Sequence, residues 1–502
     1  MSKKNRNFSK LNQHSKKGKT LTPPFASIPN MHPSSWRDER LPDVLWAVLL
    51  TGALERNSYL EKFRMVVSSA AKIGDKASIT HSQNSALSEQ DFDEIFGALL
   101  QFEDVKKALS ALTLLPSLPD KAHWRRHISE PDEPQAALQL LAKSVAKTTD
   151  HQSEASTDCR WLKVVFMMAI GKMRMPAEMA EPIIGFPNIG DMRVVRPSIR
   201  ANEQAFSAIP VENNSKWAED FWRDCWEMSD CIPAPLRKSE SVSTDFVIPQ
   251  LAQIYAKVAG HFFDSCKNTG IDPRIDSVFG LVLYGINLAI TLNQGTAHER
   301  VEGRLAIRTL TEIVITLSFL LKRDDPGLWK KFRSYGSGQA KLSFLKMVDN
   351  ESDIPDYIDI NELEMFANED IWQEFTTIEL GNWAGLDLRK MSEEAGVKSV
   401  YDKYYGWPSG YVHGQWGAVR DTVFDLCLNP LHRYHRIPSL PKRTMKSVAG
   451  DSVHLVNLLL DGLNKAYPSF KLRVKKSQPS ADVEGEEPEA PPSTHSGEDK
   501  AE

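Results

Sequence analysis

Hydrophobic positions along this chain recur mainly at intervals of three and four, the spacing that gathers them on one side of an α-helix. The run Asp43–Ala71, "DVLWAVLLTGALERNSYLEKFRMVVSSAA", follows this period, and Ser88 opens a further helix, "SEQDFDEIFGALLQF", as an N-cap with Asp91 three places on. "EPQAALQLLAKSVAK", "CRWLKVVFMMAIGKM" and "SKWAEDFWRDCWEM" continue the series. Few stretches alternate with period two, so a sheet has little raw material, and no repeat of fixed length marks a regular solenoid.

A polar, Ser-rich stretch, Arg237–Thr244 ("RKSESVST"), precedes longer and more apolar helices predicted over Asp245–Cys266, Asp272–Leu292, Thr296–Leu321 and Pro326–Val348, with a shorter one near Asn361–Phe375. The pattern predicts an all-α protein: a helical amino-terminal domain over 35–236, then a helical bundle over 245–468. Residues 1–34 form a basic arm rich in Lys, Ser, Asn and Pro, and residues 471–502 run from "KLRVKK" into an acidic tail. Both have little to bury and are expected to be disordered.

Composition narrows the class. At 502 residues the chain exceeds a single ordinary core, and 41% hydrophobic with 25% charged residues is the balance of a soluble globular protein. A formal charge of −5 provides no global attraction to nucleic acid or an anionic membrane. The five cysteines, Cys159, Cys225, Cys231, Cys266 and Cys427, include no Cys-x-x-Cys and no His at zinc-finger spacing, so they are read as reduced thiols rather than as a disulfide framework or a metal site. The longest apolar run, Phe279–Leu292, is interrupted by Asn287 and is too short to span a bilayer. The basic start "MSKKNRNFSK" has no apolar run behind it, so no signal peptide is expected, and the expected setting is the cytoplasm, without a membrane.

Candidate chemistry concentrates in two helices. Over His298–Leu321, Leu310, Ile313, Val314, Leu317, Leu320 and Leu321 form one stripe, while Arg308, Glu312, Ile315 and Phe319 share the opposite face. A helix apolar on two sides is sandwiched in a bundle, so Arg308 and Glu312, four apart, should be partly desolvated and paired. Further on, "WPSGYVHGQW" (407–416) combines punctuating residues with polar ones. Gly406 breaks a preceding helix and Pro408 suits the first turn of a new one, along which Val412, Trp416, Val419, Val423 and Leu426 make an apolar stripe flanked by Ser409, His413 and Arg420. Ser409 and His413 then sit a turn apart at the edge of the core.

No Walker A loop, dinucleotide-binding glycine fingerprint, His-Glu-x-x-His or Gly-x-Ser-x-Gly elbow is present. "GSGQAKLS" (336–343) has the flavour of a phosphate loop, but Lys341 does not follow a second glycine at the required spacing. In "NPLHRYHRIPSLPKRTMK" (429–446), His432, Arg433, Tyr434, His435 and Arg436 interleave cations with an aromatic ring, which suits a single-stranded nucleic-acid backbone and one stacked base; its prolines fit equally a loop that wraps the bundle. His432 and His435 lack acidic or thiolate companions nearby in the chain, so no metal or other cofactor is expected.

The run "NWAGLDLRKMSEEAGVKSVYDKYYGWPSGYVHG" (382–414), with Arg308 and Glu312 as an earlier Arg-x-x-x-Glu, resembles a widespread, uncharacterised family of bacterial helical domains, a domain of unknown function. Its members pair a Trp-Gly-Arg-Met stretch with Tyr-x-x-x-Tyr and Ser-x-x-x-His elements. The resemblance covers roughly 246–427. It implies a helical bundle similar to the HEPN (higher eukaryotes and prokaryotes nucleotide-binding) domains, a setting in bacterial antiviral defence or stress response, and a homodimer. The amino-terminal domain is then free to engage a partner protein.

Ribonucleases of the HEPN type carry Arg, four to six intervening residues and then His on one helix, and this chain has no such pair. Two readings follow. In one, the protein is an RNA-cleaving effector with a composite site: Arg308 clamps phosphate, His413 moves protons, and Glu312 and Ser409 position them. In the other it is a non-catalytic helical scaffold or sensor subunit in which the same residues form a structural polar network.

Overall fold

Local rules set many helix boundaries. The Ser88 hydroxyl accepts the Asp91 N–H at 3.1 Å and starts the helix Glu89–Phe96. Asp272 accepts from the N–H groups of Arg274 and Ile275, starting the helix over Pro273–Asn293, and Asp325 caps Pro326–Val348 through Leu328 N–H. The computed structural model describes residues 11–23, 34–186, 188, 192–207, 216–235, 243–349, 354–439 and 444–475. Its architecture is all-α. Strands among the described residues are confined to two small ladders, β1 (Ser15–Lys17) with β2 (Thr20–Thr22), and β3 (Phe424–Leu426) with β4 (Arg436–Pro438).

The chain divides into two compact units: Met1–Pro235 with Asp425–Ile437, and Leu236–Phe424 with Pro438–Glu502. The Ser-rich stretch at 237–244 lies mostly outside the described residues.

In the first unit the expected continuous run Asp43–Ala71 is two helices, α1 (Leu45–Ala53) and α2 (Arg56–Ile73), because Leu54 is extended. Almost every side chain of α1 is buried, as befits a helix that is apolar all round. It packs on α3 (Pro134–Thr149), and Gly52 makes the approach possible: a Cβ there would lie 1.9 Å from Ser144 Oγ. α2 meets α4 (Glu154–Ala169), where the Asp158 carboxylate accepts from Arg56 at 2.8 Å and from the Tyr59 hydroxyl at 2.7 Å. α5 (Met192–Ser207) packs on α4 and buries Glu203 against Arg40, Lys163 and Arg160. A buried His81–Asp120 pair at 2.8 Å also lies in this core, with the second imidazole nitrogen facing the Trp46 N–H; it is enclosed and structural. α6 (Trp217–Met228) is anchored by indole hydrogen bonds from Trp217 to the Pro42 carbonyl and from Trp222 to that of Asp38.

Asp425–Ile437 was expected within the bundle, but it packs with the first unit. Leu428 N–H donates to the Ile232 carbonyl at 2.7 Å, Cys427 forms a bridge with Pro233, and Leu431 is buried in the first core. The basic arm also departs from expectation where it is described, since Ser15–Lys17 and Thr20–Thr22 form an antiparallel hairpin turned at Gly18, φ +58°. Residues 1–10 and 24–33 lie outside the described residues.

The second unit is built round α8 (Pro273–Asn293), flanked by α7 (Val247–Ser265), α9 (Val301–Arg323) and the late helix α14 (Ala449–Ala466). The expectation that the apolar run here is too short to span a bilayer does not hold. α8 has 21 residues and is long and apolar enough by length and composition, but it sits as the central helix of the bundle with Val278, Val282, Ile286 and Ala289 buried. The segment 336–343 lies inside α10 (Pro326–Val348), so it is no phosphate loop. Gly338 is needed because the Thr377 carbonyl would stand 2.7 Å from a Cβ, and Lys341 Nζ is held by the carbonyls of Gln373 and Thr376.

After α11 (Lys398–Tyr404), the single helix expected from Pro408 to Leu426 is broken into α12 (Gly406–Val412) and α13 (Trp416–Val423). Its presumed apolar stripe is largely outside, with Val412, Trp416 and Val423 exposed. At the far end Val474 is buried and its carbonyl accepts from Asn457 at 3.0 Å, so the core extends past 471, where disorder was expected to begin; residues 476–502 are not described.

Candidate functional site

α9 packs against both α11 and α12, and Arg308 crosses that junction. Its guanidinium pairs with Glu312 one turn along α9 and donates to the Tyr405 hydroxyl at 2.8 Å. The guanidinium carbon also lies 3.8 Å from the Tyr405 ring centroid, and Tyr405 stacks on Tyr401 at 4.6 Å. The Arg308 side chain is 12% exposed and that of Glu312 42%, so the cation is enclosed while the anion reaches solvent. Arg308 Nε is buried with no acceptor among the described residues. Burial raises the Tyr405 phenol above its ordinary pKa; Arg308 opposes this and Glu312 reinforces it.

The local sequence explains the geometry. Tyr405 joins α11 to α12, and Pro408, buried, stands in the first turn of α12, where no intrahelical N–H bond is needed. Ser409 lies one turn on, half-buried, its N–H on the Tyr405 carbonyl at 3.1 Å. His413 caps the helix with its own N–H on the Ser409 carbonyl and is exposed. Gly414 follows in the left-handed region, φ +58°, and Gln415 N–H returns to the Gly410 carbonyl at 2.9 Å, which is a Schellman termination. Gly406 therefore opens α12 and Gly414 ends it, whereas Gly410 and Gly417 lie inside α12 and α13. Next door, the Tyr411 hydroxyl donates to Asp421 at 2.6 Å, and burial with that carboxylate pushes the phenol up to about 12.

Of the four residues assigned to the composite site, Arg308 and Glu312 are brought together, and Ser409 lies on the helix they clasp. His413 is not brought to them. Tyr405 and His413 are eight residues apart, about 12 Å along the α12 axis, so guanidinium and imidazole occupy opposite ends of that helix. Among the described residues no hydrogen bond links Arg308 or Glu312 to Ser409 or His413. The partner left out of the assigned site is Tyr405, whose signal was its place in "YDKYYG", where Tyr401 and Tyr405 have the spacing of the Tyr-x-x-x-Tyr element.

The residues assigned to nucleic acid sit elsewhere, in the first unit. His432 is buried and His435 half-buried, and both rings face two thiols. His432 Nδ1 is 3.5 Å from Cys231 Sγ and 3.6 Å from Cys427 Sγ, and His435 Nε2 is 3.3 Å from Cys231 Sγ. Burial pushes the His432 imidazole below its ordinary pKa, against the Ser229 carbonyl beside it. The Arg433 guanidinium lies over the Trp222 ring at 5.4 Å and 3.6 Å from Asp38; Tyr434 is half-buried and Arg436 exposed. A cleft of about 410 Å³ is lined by Trp222, Trp226, His432, Arg433 and His435. The expectation that the histidines lack a thiol companion nearby in the chain does not hold, because Cys427 stands five residues before His432. The second thiol, Cys231, is brought in by the fold from 201 residues away, and nothing in the spacing announces it.

These features define an all-helical protein whose second unit carries an Arg-Glu-Tyr clasp between packed helices. A family of unknown function (DUF5677) matches residues 288–426, a span that contains Arg308, Glu312, Tyr405, Ser409 and His413 and stops short of Cys427. No curated protein and no solved structure matches the chain.

Proposed function

We propose that this chain is a non-catalytic helical scaffold or sensor subunit of a bacterial cytosolic defence or stress response, built on a HEPN-like bundle. In it Arg308, Glu312 and Tyr405 fix α12 on α9. One observation carries the choice against RNA cleavage: the Arg308 guanidinium is already occupied by Glu312 and Tyr405, at the opposite end of α12 from His413. Cleavage of a phosphodiester by this pair needs cation and imidazole around the same phosphate, with the donors free to meet developing charge. The defence setting and the likeness to HEPN domains rest on the resemblance of 382–414 and of the Arg-x-x-x-Glu helix.

The test uses the full chain, with Arg308→Ala and His413→Ala, incubated with end-labelled single-stranded RNA and melted in parallel. The reading expects no cleavage by the wild type, a lowered melting temperature for Arg308→Ala and an unchanged one for His413→Ala. RNA cleavage by the wild type that His413→Ala abolishes without loss of folding overturns it in favour of the effector.

A further inference from the structure

We propose that Cys231, Cys427, His432 and His435 form a tetrahedral Cys2His2 site for Zn2+, which staples the chain after α6 to the excursion 425–437. One ligand atom from each residue lies within 4.8 Å of all the others. A tetrahedron with Zn–S near 2.3 Å and Zn–N near 2.05 Å has S···N edges of about 3.5 Å. Three of the four S···N separations, 3.3, 3.5 and 3.6 Å, match those edges. The four ligand atoms are thus gathered close to the dimensions that a tetrahedral ion requires.

The surroundings are those of a built site. His432 turns Nδ1 to the thiols while its Nε2 lies 3.1 Å from the Ser229 carbonyl, to which the ring donates. That hydrogen bond selects the tautomer whose Nδ1 lone pair is free to bind a metal. The Asn429 amide donates to Ser229 Oγ and the Asp230 carbonyl, and its oxygen accepts the Leu431 N–H, so the carbonyl and the histidine turn are held together. Trp226 covers the imidazoles, 4.9 Å from His432 and 5.3 Å from His435.

The backbone serves the same geometry. The Pro233–Cys427 bridge and the Leu428 N–H to Ile232 carbonyl bond set the two cysteine segments side by side, and Cys427 N–H bonds the His435 carbonyl at 2.9 Å. Between the histidines, Arg433 and Tyr434 both take left-handed conformations, φ +54° and +53°, closing a tight turn with His435 N–H on the His432 carbonyl. Two consecutive non-glycine residues adopt this conformation only where the surroundings impose it, and here its effect is to aim both rings at one point. Four protein ligands of S2N2 type, mostly shielded, leave no open position, which suits a structural zinc rather than a catalytic one. On binding, both thiols release their protons to solvent and the metal takes the thiolates.

The full chain, purified under reducing conditions, is incubated with Zn2+, desalted and analysed for metal. It should retain about one Zn2+ per chain, and Cys231→Ser and His435→Ala should each retain less than about a tenth of that, whereas the exposed Cys266→Ser matches wild type. Reconstitution with Co2+ should give the intense visible bands of a tetrahedral ion and a near-ultraviolet thiolate charge-transfer band, both lost in Cys231→Ser. Should the variants fail to fold, the wild-type Co2+ spectrum and Zn2+ release on thiol alkylation decide alone. Wild-type protein without metal, an octahedral Co2+ spectrum, or a Cys231–Cys427 disulfide in place of metal binding overturns the proposal.

Discussion

Removing Arg308 should weaken the second unit through Tyr405 far more than through Glu312, although the Glu312 contact is an ion pair. Glu312 is 42% exposed and one turn away on the same helix, a setting in which such pairs contribute about 0.3–0.5 kcal/mol. The Tyr405 contact has two parts. A cation 3.8 Å from a ring centroid and only 12% exposed is worth about 1–2 kcal/mol, and its hydrogen bond to the phenol at 2.8 Å about another 1 kcal/mol. Arg308→Ala should therefore cost about 2–3 kcal/mol, with no penalty for stranding a buried anion, since Glu312 can rehydrate. Urea denaturation of wild type, Arg308→Ala, Tyr405→Phe, Tyr405→Ala, Glu312→Gln and the doubles gives the couplings. Tyr405→Phe should recover only the hydroxyl part, about 1 kcal/mol, and the Arg308/Tyr405→Ala coupling should exceed that of Arg308/Glu312 by at least about 1 kcal/mol. Equal couplings, or an Arg308→Ala cost below about 0.5 kcal/mol, would refute the clasp and reopen Arg308 as a group kept free for a ligand.

Glu203→Gln should destabilise the first unit by about 3–5 kcal/mol, read by urea denaturation, because it leaves Arg40, Arg160 and Lys163 around a neutral buried group. Burial pushes the Glu203 carboxyl up, but Lys163 and Arg40 outweigh it and hold it at about 2. A depressed carboxylate contributes stability that is complete above its unfolded value near 4.5 and is lost as pH falls toward 2; near-ultraviolet circular dichroism should show wild type losing structure across that window and Glu203→Gln losing less of its remaining stability. Two glycines of α10 should respond in opposite directions in thermal melts: Gly338→Ala lowers stability by about 1–3 kcal/mol against the Thr377 carbonyl, whereas Gly336→Ala, with open space around it, raises it by up to about 1 kcal/mol. His413→Ala, at an exposed helix end, should stay within about 0.5 kcal/mol of wild type by the same measurement.

Elements whose signals are local were legible in the sequence. Ser88, Asp272 and Asp325 each cap a helix with their own side chain, and Pro326–Val348 has the bounds its period implies. The break between α12 and α13 was obscured because Val412, Trp416 and Val423 keep a helical period across it, while Gly414 stops the helix by adopting a conformation whose advantage depends on the returning Gln415 bond. Periodicity reports which residues can share a face, and it does not report whether that face is covered.

The two side-chain clusters show the same limit from opposite directions. Arg308 and Glu312 were placed correctly as a pair, because one turn of α9 fixes their separation whatever the tertiary structure. Their third partner was sought at His413 and is Tyr405, and choosing between two residues on one facing helix requires the crossing point of α9 and α12, which no spacing encodes. Cys231 and Cys427 are further apart still in the chain, and their meeting depends on a short excursion leaving the second unit to pair with Ile232 and Pro233. The local trace of that meeting is Cys427 followed by His-x-x-His at 432–435, with two left-handed residues between the rings that only the folded backbone reveals. A half-site of this kind gains meaning when a second strand supplies thiols, so the test for a metal in a chain without paired cysteine motifs is topological: which distant segments the fold lays beside the histidines.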